Sequence, residues 1–261
     1  MCWKLPEMIY NAADAGFDYV SPRTINRGAA PELVHDIAND KELFALTETA
    51  VKETGIPIID IELVKINDSI KDIREFAPDL EAASRLGVKN LTTNIWTPNV
   101  PFYEEKFAEL CDLAAEFGMS VNLEFVTWSD VKDLKESIAL IKKSGKKNAR
   151  VAFDFLHTFR SGVTVEEIAA CPRELIAPVV HICDAPAEID PRGLAYTAGN
   201  DRLCPGEGAL PVAEAVKVLP PDTILGLEIP NVERTNALGA SEYVRRILKR
   251  TKEYFAANGI V

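Results

Sequence analysis

The sequence predicts an α/β chain folded as a (β/α)₈ TIM barrel with a truncated or missing first strand. Three observations carry that expectation. Apolar, β-branched runs alternate with segments of helical periodicity; glycines stand where the intervening helices would end; and acidic or histidine residues close four of the runs. Such alternation is the pattern of βα units on a parallel sheet.

The elements follow in order. Leu5-Pro6-Glu7 opens a first helix, which leaves residues 1–4 for a strand that needs about five residues. The barrel is therefore expected to be open at that seam, to take the strand from another subunit, or to begin upstream of Met1. Strands are expected at residues 17–20, 56–62, 88–95, 120–125, 150–155, 178–183 and 223–229. Between them, Ile70, Ile73, Phe76, Leu80, Ala83 and Leu86 recur at helical spacing, as do Phe107, Leu110, Leu113 and Phe117, then Val131, Leu134, Ile138 and Ile141. Gly87, Gly118 and Gly145 sit where a left-handed C-cap would close these helices. A last helix is expected over residues 242–255. One segment breaks the rhythm: residues 184–210 hold three prolines and four glycines, and read as a long loop and candidate lid.

Composition sets the class. The 261 residues, 47% hydrophobic and 26% charged, suit one domain over residues 1–261, with no Pro/Gly/Ser-rich linker to divide it. No charged segment followed by an apolar stretch opens the chain, and no apolar run approaches the roughly 20 residues of a membrane span, so a soluble, cytoplasmic protein without a membrane partner is expected. Cys2, Cys111, Cys171, Cys183 and Cys204 form no C-x-x-C pair and read as reduced, mostly buried thiols. A formal net charge of −11 opposes nucleic acid as a partner.

The chemistry is expected at strand ends, because parallel barrels carry their sites there. Glu124 closes VNLEF, Asp154 closes VAFDF, His181 lies in PVVHICD and Glu228 in ILGLEIPN. Gathered in one cavity, three carboxylates cannot all stay ionised without a compensating cation. One divalent metal ion supplies it, and carboxylates with an imidazole suit Mn²⁺, Mg²⁺, Co²⁺ or Zn²⁺ alike. Each residue taken alone reads more simply as an N-cap or ion-pair partner, and it is the four together that point to a metal site. His157, three residues past Asp154, is a candidate to bond a substrate oxygen or move a proton; the alternative is a loop histidine on the backbone. His35 reads as structural. Glu62, with Lys65 beside it, and Arg23 are substrate-binding candidates, each weighed against an ion pair. Trp96, Trp128 and Phe155 are placed to stack on a ring or to pack a lid. Pro205-Gly-Glu-Gly208 lacks the Lys and Ser/Thr of a phosphate loop and reads as a tight turn before a helix near Ala209.

The segments Asp154-Phe-Leu-His157-Thr-Phe-Arg160-Ser-Gly162, His181-Ile-Cys-Asp184-Ala-Pro186, Arg202-Leu-Cys-Pro-Gly206-Glu-Gly208 and Leu227-Glu228-Ile-Pro230 resemble the xylose isomerase-like barrels, the sugar phosphate isomerases and epimerases. The resemblance covers nearly the whole chain. It implies that Glu124, Asp154, His181 and Glu228 bind the metal and that His157 touches the substrate. It also makes Arg160 and Arg202, in loops beside those ligands, candidates for substrate binding. Position 187, where ketose epimerases tend to carry a substrate-binding Arg, is Ala187.

The expected activity is a divalent-metal-dependent isomerase or epimerase of a sugar, keto-sugar or related polyhydroxy carbonyl compound. The metal offsets charge on an enediolate, while Glu124 and Glu228 serve as base and acid on opposite faces of the carbon. The alternatives are a lyase of the inosose or dehydroshikimate dehydratase type, a non-catalytic sugar-binding protein, and an endonuclease IV-like phosphodiesterase. The expected partner is a small sugar or polyol, with a homodimer as a further possibility.

Overall fold

Six parallel strands carry the backbone of the computed structural model, which describes residues 3–25 and 35–260. The chain divides into two compact units, Met1–Ala152 and Phe153–Val261.

In the first unit, β1 (Ile61–Asn67), β2 (Asn90–Trp96), β3 (Ser120–Glu124) and β4 (Ala149–Ala152) lie side by side in chain order, all parallel. The helices are α1 (Leu5–Ala15), α2 (Lys41–Thr54), α3 (Ala77–Arg85), α4 (Val100–Glu116) and α5 (Leu134–Ser144). Leu91, Ile95, Val121 and Leu123 are fully buried, as are Leu80, Phe107 and Leu110 from the helices. Each such side chain contributes about 1.5–3 kcal/mol by leaving water. The residues alternating with Leu91 and Val121 are polar yet equally buried: Asn90, Thr92 and Asn94 on β2, and Asn122 on β3. Ser120 Oγ, at the start of β3, donates to Asn90 Oδ1 at 2.8 Å. The expected glycine caps hold: Gly87, Gly118 and Gly145 follow α3, α4 and α5 with φ of 85°, 68° and 66°.

Two sequence expectations change. Residues 17–20 form no strand; Val20 and Arg23 make single parallel bridges to Ile58 and Glu62. Pro22 and Pro57 lack the N–H donors a continuous ladder needs, which limits pairing here. The strand expected at 56–62 lies later, at Ile61–Asn67, with a register irregularity between Ile61 and Val64. Trp3 and Lys4 carry no strand, and Met1 and Cys2 lie outside the described residues. The helix start at Leu5 is as expected, with Lys4 N donating to Glu7 Oε2 at 2.8 Å.

In the second unit, β5 (Val179–Ile182) and β6 (Ile224–Leu227) pair in parallel. The helices are α6 (Phe155–Arg160), α7 (Val165–Ala170), α8 (Leu194–Asn200), α9 (Val212–Val218), α10 (Val232–Leu238) and α11 (Ala240–Ala257). Leu156, Cys183, Ala185, Cys204, Ile229, Tyr243 and Ile247 form one cluster of its core, and Tyr243 donates its hydroxyl to Ile229 O at 2.7 Å. The segment expected as one long loop holds α8, and its far end is fixed. Asp184 accepts from the N–H groups of Ala185, Gly206, Gly208 and Leu210 at 2.8–3.0 Å. A β-carbon at 208 would meet Ala185 O at 2.2 Å, so only glycine fits this clasp. Residues 203–210 are thus tethered, which narrows any lid to the stretch before them.

Cys111, Cys171, Cys183 and Cys204 are free and buried. Among the described residues, no helix is long and apolar enough to cross a membrane.

Candidate metal centre

Asp154 follows β4 in extended conformation, bridges His181 in parallel, and caps α6 by accepting from His157 N through Oδ1 at 2.9 Å. His181, inside β5, is in register with Gly226 of β6, and Glu228 follows β6 with its N–H on Ile182 O at 3.2 Å. Parallel pairing thus brings one end of three neighbouring stretches to the same place. His181 Nδ1 lies 3.3 Å from Glu228 Oε2, and one ligand atom each of Asp154, His181 and Glu228 lies within 4.8 Å of the others. Asp154 is fully buried, His181 is buried and Glu228 is half-buried.

Arg202 completes this cluster. Its Nη1 pairs with Asp154 Oδ2, lies 3.4 Å from Glu228 Oε2 and donates to Cys183 Sγ at 3.6 Å, while Nε donates to Ala198 O at 2.9 Å. The side chain is 3% exposed. Burial alone would weaken its charge, yet Asp154 and Glu228 outweigh it and hold the guanidinium protonated. Burial also pushes the Cys183 thiol up to about 12, so it stays neutral. Arg202, a substrate-binding candidate from the sequence, pairs with two of the candidate ligands.

The remaining candidates occupy distinct places. His157 is buried on α6, one turn from Asp154. Arg160 donates to Pro186 O and to Ala187 O, the latter at 3.1 Å, bracing the start of the loop after β5. In the first unit, Glu124 ends β3 and accepts from Asn94 Nδ2 at 3.3 Å. Arg23 Nε pairs with Glu62 Oε2 at 2.9 Å, so these two share an ion pair. Lys65 Nζ lies over the Trp96 ring, 4.2 Å from its centroid. Trp128 is exposed, Phe155 is fully buried against Phe159, and His35 is buried, where desolvation lowers its pKa. Asp184 and Asn94 had no role in the sequence reading. Asp184's signal is its place in His181-Ile-Cys-Asp184, and Asn94's is a polar residue two positions from the end of an otherwise apolar-flanked strand.

The ligand chemistry fits a metal. Two atoms on one ion at roughly 2.0–2.5 Å stand at most about 4–5 Å apart, the span seen for Asp154, His181 and Glu228. The description xylose isomerase-like TIM barrel matches residues 9–253. The chain belongs to the xylose isomerase-like TIM barrel family. Among solved structures of similar fold is the IolI protein with a bound zinc atom, 18% identical, covering 96% of this chain and 92% of that one with a TM-score of 0.75. A second is 3-keto-D-glucoside 4-epimerase from E. coli, 17% identical over 97% of both chains, TM-score 0.73. A third is D-psicose 3-epimerase, 18% identical over 97% of this chain and 94% of that one, TM-score 0.70. No curated protein sequence matches.

Proposed function

We propose that this member of the xylose isomerase-like family is a divalent-metal-dependent isomerase or epimerase of a sugar, keto-sugar or related polyhydroxy carbonyl compound. The observation that carries the reading is the approach of Asp154, His181 and Glu228 ligand atoms to within 4.8 Å of one another. The zinc of the IolI protein and the epimerase activities of the other two structures support it by likeness of fold. Glu124 is the fourth ligand in this proposal, on the pattern VNLEF and the family resemblance.

When bound, a divalent ion supplies positive charge against a substrate carbonyl oxygen, which makes the adjacent C–H acidic. Glu124 and Glu228 are the groups proposed to remove that proton and return one. Return to the opposite face of the same carbon inverts it; return to the neighbouring carbon exchanges aldose and ketose. His157 is proposed to bond a substrate oxygen, and Arg23 with Glu62, and Arg160, to bound the substrate site. Arg202 acts on Asp154 and Glu228, offsetting part of their charge.

The test is incubation of metal-loaded protein with a panel of keto-sugars and inososes in D₂O. Solvent deuterium at the carbon beside the carbonyl is the expected result, lost in Glu228→Gln. An enone absorbance instead would reassign the chain as a dehydratase. Absence of both signals, with no metal retained, would overturn the proposal.

A further inference from the structure

Three contacts stand in series behind Glu124. Lys65 and Asn94 are register partners on β1 and β2. Lys65 Nζ lies 4.2 Å from the centroid of the Trp96 ring; Trp96 Nε1 donates to Asn94 Oδ1 at 2.6 Å; and Asn94 Nδ2 donates to Glu124 Oε2 at 3.3 Å. Asn94 is buried, 4% exposed.

The chemistry of these groups fixes their directions. An indole N–H only donates and a carboxylate only accepts, so the amide between them must turn its oxygen to Trp96 and its NH₂ to Glu124. Aspartate at 94 would set carboxylate against carboxylate, and leucine would bond to neither. A cation over the indole face is held by the ring quadrupole and draws electron density from it, which makes Nε1–H the better donor. The string therefore ends in an N–H directed at one oxygen of Glu124, and hydrogen bonds of this kind orient carboxylate ligands and tune their affinity for a metal.

We propose that Asn94 is a positioning residue for Glu124, locked in orientation by Trp96 and backed by Lys65. The inference rests on the reading of Glu124 as a metal ligand and proton-transfer group.

The experiment titrates the full chain with Mn²⁺ and records the visible spectrum of the Co²⁺-loaded protein. Asn94→Leu is expected to weaken metal binding about tenfold and to alter the Co²⁺ bands. Trp96→Phe keeps a ring under Lys65 and deletes one N–H; a weakening of a few-fold is expected, and it serves if Asn94→Leu does not fold. In a Glu124→Gln background, Asn94→Leu should cause no further loss. Wild-type affinity and spectrum in both variants, while Glu124→Gln binds metal measurably more weakly, would overturn the positioning role alone, as would full additivity in the double variant. Unchanged binding in Glu124→Gln would overturn the ligand role of Glu124, and this inference with it.

Discussion

Gly226 stands beside His181 in the β5–β6 register, and a β-carbon at 226 would come within 3.2 Å of His181 Cδ2. The imidazole uses space that any side chain at 226 would claim. Gly226→Val is expected to turn the ring away from Glu228, now 3.3 Å from Nδ1, and to weaken divalent-ion binding about tenfold or more. Calorimetric titration with Mn²⁺ or Zn²⁺ checks this; unchanged affinity in a folded variant would count against His181 as a ligand.

Arg202 is the resident cation of the same cluster. Arg202→Met leaves the buried Asp154 charge uncompensated and is expected to cost about 3–5 kcal/mol in metal-free protein. A divalent ion binds the folded state alone and restores part of the loss. With a repelling cation removed, the thermal midpoint of the variant should gain at least as much from added metal as that of the parent. Thermal melts with and without chelator read both effects.

Asp184 gathers four backbone donors at 2.8–3.0 Å. Hydrogen bonds to a charged group are strong, and stripping their acceptor strands buried donors. Asp184→Ala is expected to lower stability by about 3 kcal/mol or more and to speed proteolysis within residues 186–210. Denaturant titration and timed digestion measure the two; a variant as stable and as resistant as the parent would refute the clasp.

Asp79 sets a pH dependence in the first unit. Burial first, and the charge of Asp36 second, raise its carboxyl from 3.8 to about 6. A raised folded-state pKa favours the protonated form, so this contribution to stability is complete below about pH 4 and is lost as pH rises through 6. Asp79→Asn removes the titration. The stability difference between variant and parent should open between pH 4 and 6 in favour of Asn, then stay level to pH 8. Melting curves across that range test it.

Much of this was legible in the sequence, for identifiable reasons. The strands from β2 onward announce themselves because apolar runs such as VNLEF are flanked by helices with single buried stripes, and Gly87, Gly118 and Gly145 mark where each helix stops. The strand expected at residues 17–20 is only a pair of single bridges, since hydrophobicity says nothing of the donors missing at Pro22 and Pro57. Asp154 kept both of its sequence readings: it caps α6 and pairs with arginine, and its atoms also lie among the candidate ligands. The burial of Arg202 was not legible, because local sequence shows a cation in a polar loop, while Cys183 and Ala198 accept its hydrogen bonds from elsewhere in the fold. Asp184 and Asn94 stayed silent for a related reason: their partners are backbone groups more than 20 residues on, or a carboxylate one strand away.

The clasp at Asp184 also divides the segment after β5 by its tolerance to redesign. Residues 203–210 hang from one carboxylate and pass Ala185 with no room for a β-carbon at 208, so their length and glycines are not negotiable. Ile189, 54% exposed, belongs to the stretch before α8, which makes none of those bonds. Loops of other lengths can be grafted between Ala187 and Gly193 with the turn at 205–208 left intact, which makes that stretch the tolerant half of the segment and 203–210 the fixed half.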